Sequence, residues 1–103
     1  MSENQMDAIV GRATAQVNLL EDALAGLHNI KARATSKDDD VTAEVDGNGT
    51  LVGLWMNESV TKLDARTVAS LVTETSQAAA TLASEQRMQV LTRLQNSFEN
   101  PEA

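Results

Sequence analysis

Two long stretches with helical periodicity constrain this chain more than any other feature. In the first, apolar residues recur at alternating spacings of four and three, the a/d pattern of a heptad repeat: Met6, Val10, Ala13, Val17, Leu20, Leu24 and Leu27. Ser2, followed three positions later by Gln5, predicts a capping box. His28 and Asn29 suit the helix end, where the negative pole favours histidine. The pattern predicts a helix over residues 2–28, roughly 40 Å long at 1.5 Å per residue.

The second stretch predicts a helix over residues 64–98, roughly 50 Å long. Asp64 is a favourable N-cap residue, and Leu63 and Val68 occupy the positions of a hydrophobic staple. The predicted buried stripe consists of Val68, Leu71, Val72, Thr75, Ala78, Ala79 and Leu82. The stripe changes phase near residues 84–86, and a second stripe follows, made of Met88, Leu91, Leu94 and Phe98.

The lengths of these helices predict a homodimer. A compact domain of this size is only about 30 to 35 Å wide, so a small sheet from the same chain cannot cover both helices. A second copy is therefore expected to cover the remaining apolar stripe, through Val10, Val17, Leu20, Leu24 and Leu27. The alternative is a monomeric helical hairpin that packs on the sheet and has frayed ends.

Three short strands are predicted between the helices, over about residues 30–36, 41–46 and 50–57. In the first strand, apolar residues alternate with polar ones: Ile30, Ala32 and Ala34 with Lys31, Arg33 and Thr35. The segment Lys37-Asp38-Asp39-Asp40 predicts a solvated turn. The fold class is therefore α+β in a single domain over residues 1–103, with the order long helix, three-stranded antiparallel sheet, long helix.

The segment EVDGNGTL, residues 44–51, has two interpretations. Its alternating oxygen ligands and its glycine at the sixth position resemble a calcium-binding loop of the EF-hand type. That loop begins with Asp and needs a bidentate Glu at its twelfth position, whereas here Glu44 is first and Trp55 is twelfth. The residues before it alternate with period two, which is typical of a strand. The segment is therefore predicted to be the tip of a β-hairpin.

A type I′ turn at Asn48-Gly49 predicts the register of this hairpin. It places three apolar pairs on one face: Val45 with Val52, Ala43 with Leu54, and Val41 with Met56. Leu51 and Trp55 then lie on the opposite face. An aromatic residue on the outer face of a small sheet favours an interface, so Trp55 is predicted as a dimer contact rather than a ligand site.

The amino-acid composition argues against several classes of function. The chain has no cysteine and one histidine, which leaves little for nucleophilic catalysis, and it has neither a phosphate-binding loop nor a His/Cys metal motif. We expect no enzymatic activity, small-molecule substrate, cofactor or metal.

The polar N-terminus lacks a signal pattern and no apolar run is long enough to cross a bilayer, so a cytoplasmic location is expected. The net charge of −7 is unusual for a nucleic-acid-binding protein.

The chain resembles the YbaB/EbfC family of bacterial nucleoid-associated proteins from about Met6 to Leu94. The resemblance rests on Val45-Asp46-Gly47 with Gly49 in the hairpin, on Leu63-Asp64 before the second helix, and on the Leu71-Val72 and Ala78-Ala79 spacing after it. It implies a cytoplasmic, nucleoid-associated homodimer whose paired helices project like tweezers. It also implies binding of double-stranded DNA with little sequence preference.

The DNA-contacting candidates are basic residues outside the heptad stripe: Arg12, Lys31, Arg33, Lys37, Arg87 and Arg93. Each has a structural alternative, because Lys31 and Arg33 can pair across strands with Glu44 and the helix arginines can form ordinary surface ion pairs.

A second function stays open. The acidic chain also resembles YbaB-like proteins associated with type VII secretion, for which a protein-binding adaptor or chaperone role is expected. The two functions differ in salt dependence: a DNA-binding protein should bind duplex DNA at low salt and lose it steeply as salt rises, whereas an adaptor should not bind it.

Overall fold

The computed structural model of the chain describes residues 2–99. Its elements are helix α1 (Glu3–His28), strands β1 (Lys31–Thr35), β2 (Val41–Asp46) and β3 (Leu51–Met56), a short 3-10 helix (Glu58–Lys62) and helix α2 (Ala65–Glu99). The strands form one antiparallel sheet in the order β1-β2-β3. Two helices thus flank a three-stranded antiparallel sheet, and the predicted α+β fold is confirmed. The sequence pattern does not predict the 3-10 helix.

Side-chain caps fix the start of both long helices. The Ser2 hydroxyl accepts a hydrogen bond from the Gln5 backbone N–H, and the Gln5 side chain accepts one from the Ser2 N–H, so the capping box is confirmed. At α2, the Thr67 N–H donates to Asp64 Oδ1 at 2.8 Å. Hydrogen bonds from the Thr67 side chain and then its backbone hold the pKa of the Asp64 carboxyl below its ordinary value of 3.8.

The β2–β3 hairpin has a different turn from the one predicted. Gly49 N–H donates to Asp46 O at 3.1 Å, and Asp46 N–H donates to Thr50 O at 3.0 Å, which leaves a three-residue loop. Gly49 has a φ of 82°, whereas the φ of Asn48 is not positive. The type I′ turn at Asn48-Gly49 is therefore wrong. The geometry is that of a type I turn followed by a left-handed glycine, with Asp46 Oδ1 accepting from the Asn48 and Thr50 N–H groups.

This longer loop changes one of the three predicted pairs. Val41 lies opposite Met56 and Ala43 opposite Leu54, as predicted, but Val45 lies opposite Leu51 instead of Val52. The register shifts between Glu44 and Val45, which is a β-bulge. The pairs beyond the bulge keep the predicted alternation, because the bulge compensates for the extra loop residue.

The hydrophobic core lies between α2 and the inner face of β1 and β2. It consists of Ile30, Ala32, Ala43, Val45, Ala79 and Ala83. Small residues on α2 let the helix approach the sheet closely, and Thr75 is buried on the same face. The predicted stripe is therefore wrong at Ala78 and Leu82, which are exposed. The helix presents Ala83 to the sheet, while the larger Leu82 lies to the side.

Strand β3 extends this apolar layer beyond the helix that covers it. Val41 is fully buried on β2, but Met56, opposite it on β3, is 51% exposed. Leu54, opposite the fully buried Ala43, is also exposed. Helix α2 packs on β1 and β2. One edge of the sheet therefore keeps uncovered apolar side chains.

Helix α1 packs against the second half of α2, and we call this helix pair the arm. A methyl group placed on Gly26 would lie 3.6 Å from the Val90 methyl carbons, which is ordinary contact. Val90, Leu94 and Ser97 line the inner side of the arm, whereas Met88 and Leu91 are exposed. Of the predicted second stripe, Leu94 packs on this inner side, whereas Met88, Leu91 and Phe98 are exposed in the single chain. α2 continues without a break through the change of phase. The apolar stripe changes phase because the first half of α2 packs on the sheet and the second half packs on α1.

The arm makes the molecule a rod. The principal extents are 75 × 18 × 15 Å and the radius of gyration is 21.0 Å, against about 13 Å for a compact chain of this size. The helices contain 26 and 35 residues. Over the described residues, neither helix has a segment apolar enough to cross a membrane. The chain therefore exposes far more surface than a globular domain of equal length.

The tip of the hairpin rests against the C-terminal end of α1. A Cβ on Gly47 would lie 2.5 Å from the Leu27 carbonyl oxygen and 3.3 Å from Ile30 Cβ. Arg87 Nη1 on α2 donates to the Gly47 carbonyl at 3.3 Å. The hairpin tip therefore meets the arm at Gly47, where any side chain would collide with the backbone of α1.

The acidic β1–β2 connection is only partly a solvated turn. Lys37, Asp38 and Asp39 are exposed, and Asp39 has a φ of 61°. Asp40, in contrast, is buried and accepts a hydrogen bond from the Ser59 hydroxyl of the 3-10 helix. The expected solvated turn is wrong at Asp40, whose carboxylate ties the connection to the segment before α2.

We expect Gly47→Ala to lower the free energy of unfolding by about 1–3 kcal/mol, because its methyl group would overpack the end of α1. Gly11→Ala is the matched control: Gly11 lies inside α1 with nothing within 4 Å of a Cβ, so this change should stabilise the chain by about 0.5–1 kcal/mol. Urea unfolding at one protein concentration measures both. Equal midpoints for Gly47→Ala and the unaltered protein would contradict the close approach of the hairpin tip to α1.

We expect Asp64→Ala to lower the melting temperature at neutral pH. The folded pKa of Asp64 lies below its ordinary value of 3.8, so its contribution to stability is present above that value and is lost as the pH falls through the folded pKa. Thermal melts at a series of pH values should therefore show the two proteins converging in acid. Asp64→Asn, which retains a capping oxygen, is the control. A melting difference that does not change with pH would contradict this role.

Candidate nucleic-acid interface

The six candidate cations lie in three regions of the rod. Lys31, Arg33 and Lys37 are at the sheet, Arg87 is at the junction of arm and sheet, and Arg12 and Arg93 are on the arm. Only Lys31 and Arg33 are next to each other on one face, two residues apart on β1. The chain alone therefore does not gather the candidates into a single basic patch.

Arg33 belongs to a stack on the outer face of the sheet, the face opposite α2. Its Nε donates to Glu44 Oε1 at 2.9 Å, across the β1–β2 pair. Its guanidinium carbon lies 4.4 Å from the centre of the Trp55 ring, which is a cation–π contact. The expected pairing of Arg33 with Glu44 is present, and the contact with Trp55 is an addition to it.

The outer edge of the Trp55 indole lies over Gly53. A Cβ on Gly53 would come within 2.5–3.2 Å of three carbon atoms of the indole ring. The ring is therefore held between the bare backbone of Gly53 and the guanidinium of Arg33. We call Gly53, Trp55, Arg33 and Glu44 the outer-face stack. Trp55 is still half exposed, so its predicted role as a dimer contact stays a prediction.

The other two cations at the sheet make no hydrogen bond or ion pair within residues 2–99. Lys31 lies opposite Asp46, whose Oδ1 accepts hydrogen bonds from the hairpin backbone. Lys37 is exposed in the turn after β1. Both ammonium groups are therefore available to a ligand.

The arginines of the helices differ in their surroundings. Arg87 donates to Gly47, so part of its guanidinium has a structural role. Arg93 lines a cavity of about 200 Å³ inside the arm together with Asp22, although the two form no ion pair. Arg12 is exposed on the N-terminal half of α1. Among residues 2–99, no cluster of three or more acidic or histidine side chains could hold a metal.

An uncovered apolar stripe runs along the arm. Met6, Val10, Val17, Leu20 and Leu24, which we call the α1 seam, are between 45% and 65% exposed. Ala23 and Gly26 face α2 instead, and consecutive residues are about 100° apart around a helix. The intrachain contact therefore uses a different side of α1 from the seam. Leu27, the last predicted dimer residue, is half-buried and packs against the core.

The seam and the hairpin tip lie on one side of the rod. An open cavity of about 370 Å³ is bordered by Leu24 and Leu27 of α1, by the hairpin tip at residues 46–48, and by Arg87 of α2. Its lining joins the end of the α1 seam to the tip of the hairpin that leads into β3. All five large apolar residues of β3 are also exposed: Leu51, Val52, Leu54, Trp55 and Met56.

Sequence reasoning missed the outer-face stack, although the two strand registers contain it. Arg33 lies opposite Glu44, and Glu44 lies opposite Gly53, next to the Thr42–Trp55 pair. Arg33 on β1 and Trp55 on β3 therefore lie on one face, on either side of Glu44 of β2, and both side chains are long enough to meet across that strand. The register predicts that they are close, but the ring's position over Gly53 depends on side-chain packing.

Comparisons with known proteins agree with this architecture. The crystal structure of the uncharacterized protein HP0035 from Helicobacter pylori superposes with a TM-score of 0.58 at 16% identity, over 91% of this chain and 97% of that chain. At this identity the likeness shows the fold alone. A search of curated proteins finds no match. The sequence model of the YbaB/EbfC DNA-binding family matches residues 2–98. The match extends over nearly the whole chain, and the protein belongs to the YbaB/EbfC DNA-binding family.

Proposed function

We propose that the protein binds double-stranded DNA as a homodimer, with little sequence preference and without catalysis. The observation that carries the proposal is membership, over residues 2–98, of a DNA-binding family. A nucleoid-associated, cytoplasmic location follows from this function. The positions of the apolar and basic side chains supply the physical support.

The second copy covers the α1 seam. Val10, Val17, Leu20 and Leu24 form an apolar stripe with heptad spacing that no element within residues 2–99 covers. Two such stripes are complementary to each other, because a two-fold axis places the same surface on both sides of the contact. Leu27 contributes at the end of the seam, and Trp55 is a further candidate contact.

The DNA contacts are to the phosphate backbone. The candidate cations are spread over a rod 75 Å long, which favours contacts to separate phosphates over the reading of adjacent bases. Phosphate contacts carry no sequence information directly, so low sequence preference follows. Each chain has few cations and a net charge of −7. The dimer doubles the number of cations that can reach phosphates, and we expect the affinity to depend steeply on salt.

A protein-binding adaptor or chaperone, including one that serves type VII secretion, is the second candidate. The exposed apolar residues of β3 favour it, because uncovered apolar surface beside a strand edge suits a protein partner. The net charge of −7 favours it as well. The two functions predict different results at low salt: a DNA-binding protein shifts duplex DNA, whereas an adaptor does not.

We expect Leu20→Glu combined with Leu24→Glu to abolish the dimer and destabilise the fold, because two carboxylates would enter an apolar contact in each copy. Thr14→Glu combined with Asn18→Glu is the control. It adds the same charge at exposed positions of α1 outside the seam. Sedimentation velocity and circular dichroism measure the two effects. A well-folded monomer from the seam variant would show that the seam does not hold the fold together.

We expect a short mixed-sequence duplex to shift in a gel at low salt, with binding lost as salt rises. The logarithm of the binding constant should fall linearly with the logarithm of the salt concentration, with a slope of about −0.9 per neutralised phosphate. A scrambled duplex of equal length is the control and should bind equally. If no shift occurs up to about 10⁻⁴ M protein and one protein partner is captured instead, the adaptor function replaces DNA binding.

A further inference from the structure

The outer-face stack holds an arginine in a fixed orientation. Glu44 Oε1 accepts from Arg33 Nε at 2.9 Å, and the Trp55 ring lies 4.4 Å below the guanidinium carbon. A flexible arginine loses much side-chain freedom when it binds a ligand. Here Glu44 and Trp55 already restrict that freedom before a ligand binds, so binding at Arg33 costs less side-chain entropy.

The part of Arg33 that remains available suits a phosphate. A guanidinium has five N–H donors, and Arg33 uses the one on Nε. Its two terminal nitrogens donate no hydrogen bond within residues 2–99, and its side chain is 61% exposed. Paired N–H groups of this kind match two oxygens of a phosphate. The stack therefore presents a bidentate donor to solvent.

A second cation lies beside the stack. Lys31 is two residues from Arg33 on the same face, about 6.6 Å away along the strand, and its ammonium group is unpaired within residues 2–99. The acidic side chains of this face are engaged: Glu44 holds Arg33 and is 16% exposed, and Asp46 accepts from the hairpin backbone. Two cations therefore face solvent beside acids that are already hydrogen-bonded.

The bare backbone of Gly53 completes the arrangement. Any side chain there would push the indole outward, because a Cβ would lie 2.5 Å from one ring carbon and 2.8 Å from another. The position of the indole ring determines how far the Arg33 guanidinium stands from the sheet. Gly53 and Trp55 therefore act through Arg33 and need no contact with the ligand.

We propose that the outer-face stack is a phosphate-contacting site for the DNA backbone, in which Arg33 and Lys31 bind the phosphates and Trp55, Gly53 and Glu44 position Arg33. The inference rests on the proposed function. It names the sheet, rather than the arm, as the surface that contacts DNA, and it gives Trp55 a role within its own chain. This assignment competes with the prediction that Trp55 is a dimer contact.

The test is a DNA titration of the full chain over a series of salt concentrations. Arg33→Ala should weaken binding of a short mixed-sequence duplex by about tenfold at low salt. It should also make the salt slope shallower by about 0.9 for each phosphate that the variant no longer neutralises. Arg66→Ala is the matched control. It removes the same charge from α2, which covers the opposite face of the sheet, and should change the slope little.

Trp55 variants separate positioning from direct contact. Trp55→Leu should weaken binding about two- to fivefold, the value of an exposed cation–π contact, and leave the salt slope unchanged because Arg33 keeps its charge. Trp55→Phe retains a ring under the guanidinium and should restore most of the affinity. Both variants should sediment as the unaltered protein does, since the assigned role of Trp55 lies within one chain.

The outcomes distinguish this inference from the function on which it rests. If the unaltered protein shifts DNA but Arg33→Ala behaves like Arg66→Ala, the site is overturned and DNA binding stands. If Trp55→Leu dissociates the dimer, Trp55 is a subunit contact and its positioning role is overturned. If the unaltered protein shifts no DNA at low salt, both the proposed function and the site are overturned.

Discussion

The packing of α2 on the sheet is the interaction on which the rest of the structure depends. Thr75, Ala79 and Ala83 bring one side of the helix close to β1 and β2, and the same helix continues without a break to Glu99. Its first half closes the core and its second half carries α1. The direction of the arm is therefore set by a contact made almost entirely of small side chains, supported at the junction by Gly47 and Arg87.

Such a core stabilises a single chain only modestly. Most of its residues are alanines or valines, and each buried methylene group contributes only about 0.8 kcal/mol. The larger apolar side chains, on the α1 seam and on β3, lie outside this core and stay exposed. Large exposed apolar patches on a soluble protein mark interaction surfaces. This imbalance is the physical basis of the proposed dimer.

The effect of charge in this chain depends on which charged residues are close to one another. Fifteen acidic residues outnumber eight basic ones, so the field of the whole chain repels DNA at long range. Individual cations can still bind phosphate where neighbouring acids are engaged in other hydrogen bonds. The outer-face stack meets this condition, because Glu44 orients Arg33 while the terminal nitrogens of the guanidinium stay free within residues 2–99. Salt dependence therefore distinguishes local phosphate contacts from the opposing overall charge.

Local patterns are enough to predict the two long helices and the three strands, because the residues that specify each of them are close together in the chain. The capping box of Ser2 and Gln5, the N-cap at Asp64 and the alternation of β1 depend on residues a few positions apart. The antiparallel order and most of the hairpin register followed from the same patterns. The turn type did not follow, since the loop Gly47-Asn48-Gly49 and its bulge depend on how the hairpin tip fits the end of α1.

Which apolar face each helix packs with depends on tertiary contacts, which local patterns do not specify. Periodicity identifies an apolar stripe but not its partner, and α2 has different partners along its two halves, so Ala83 and Val90 replaced Leu82 and Leu91 in the packing. The tertiary structure also brought Arg33, Trp55 and Gly53 together from two strands that are not neighbours in the sheet. Pattern reasoning found the cations but not their environments, because the exposure and pairing of a charge depend on residues distant in the chain.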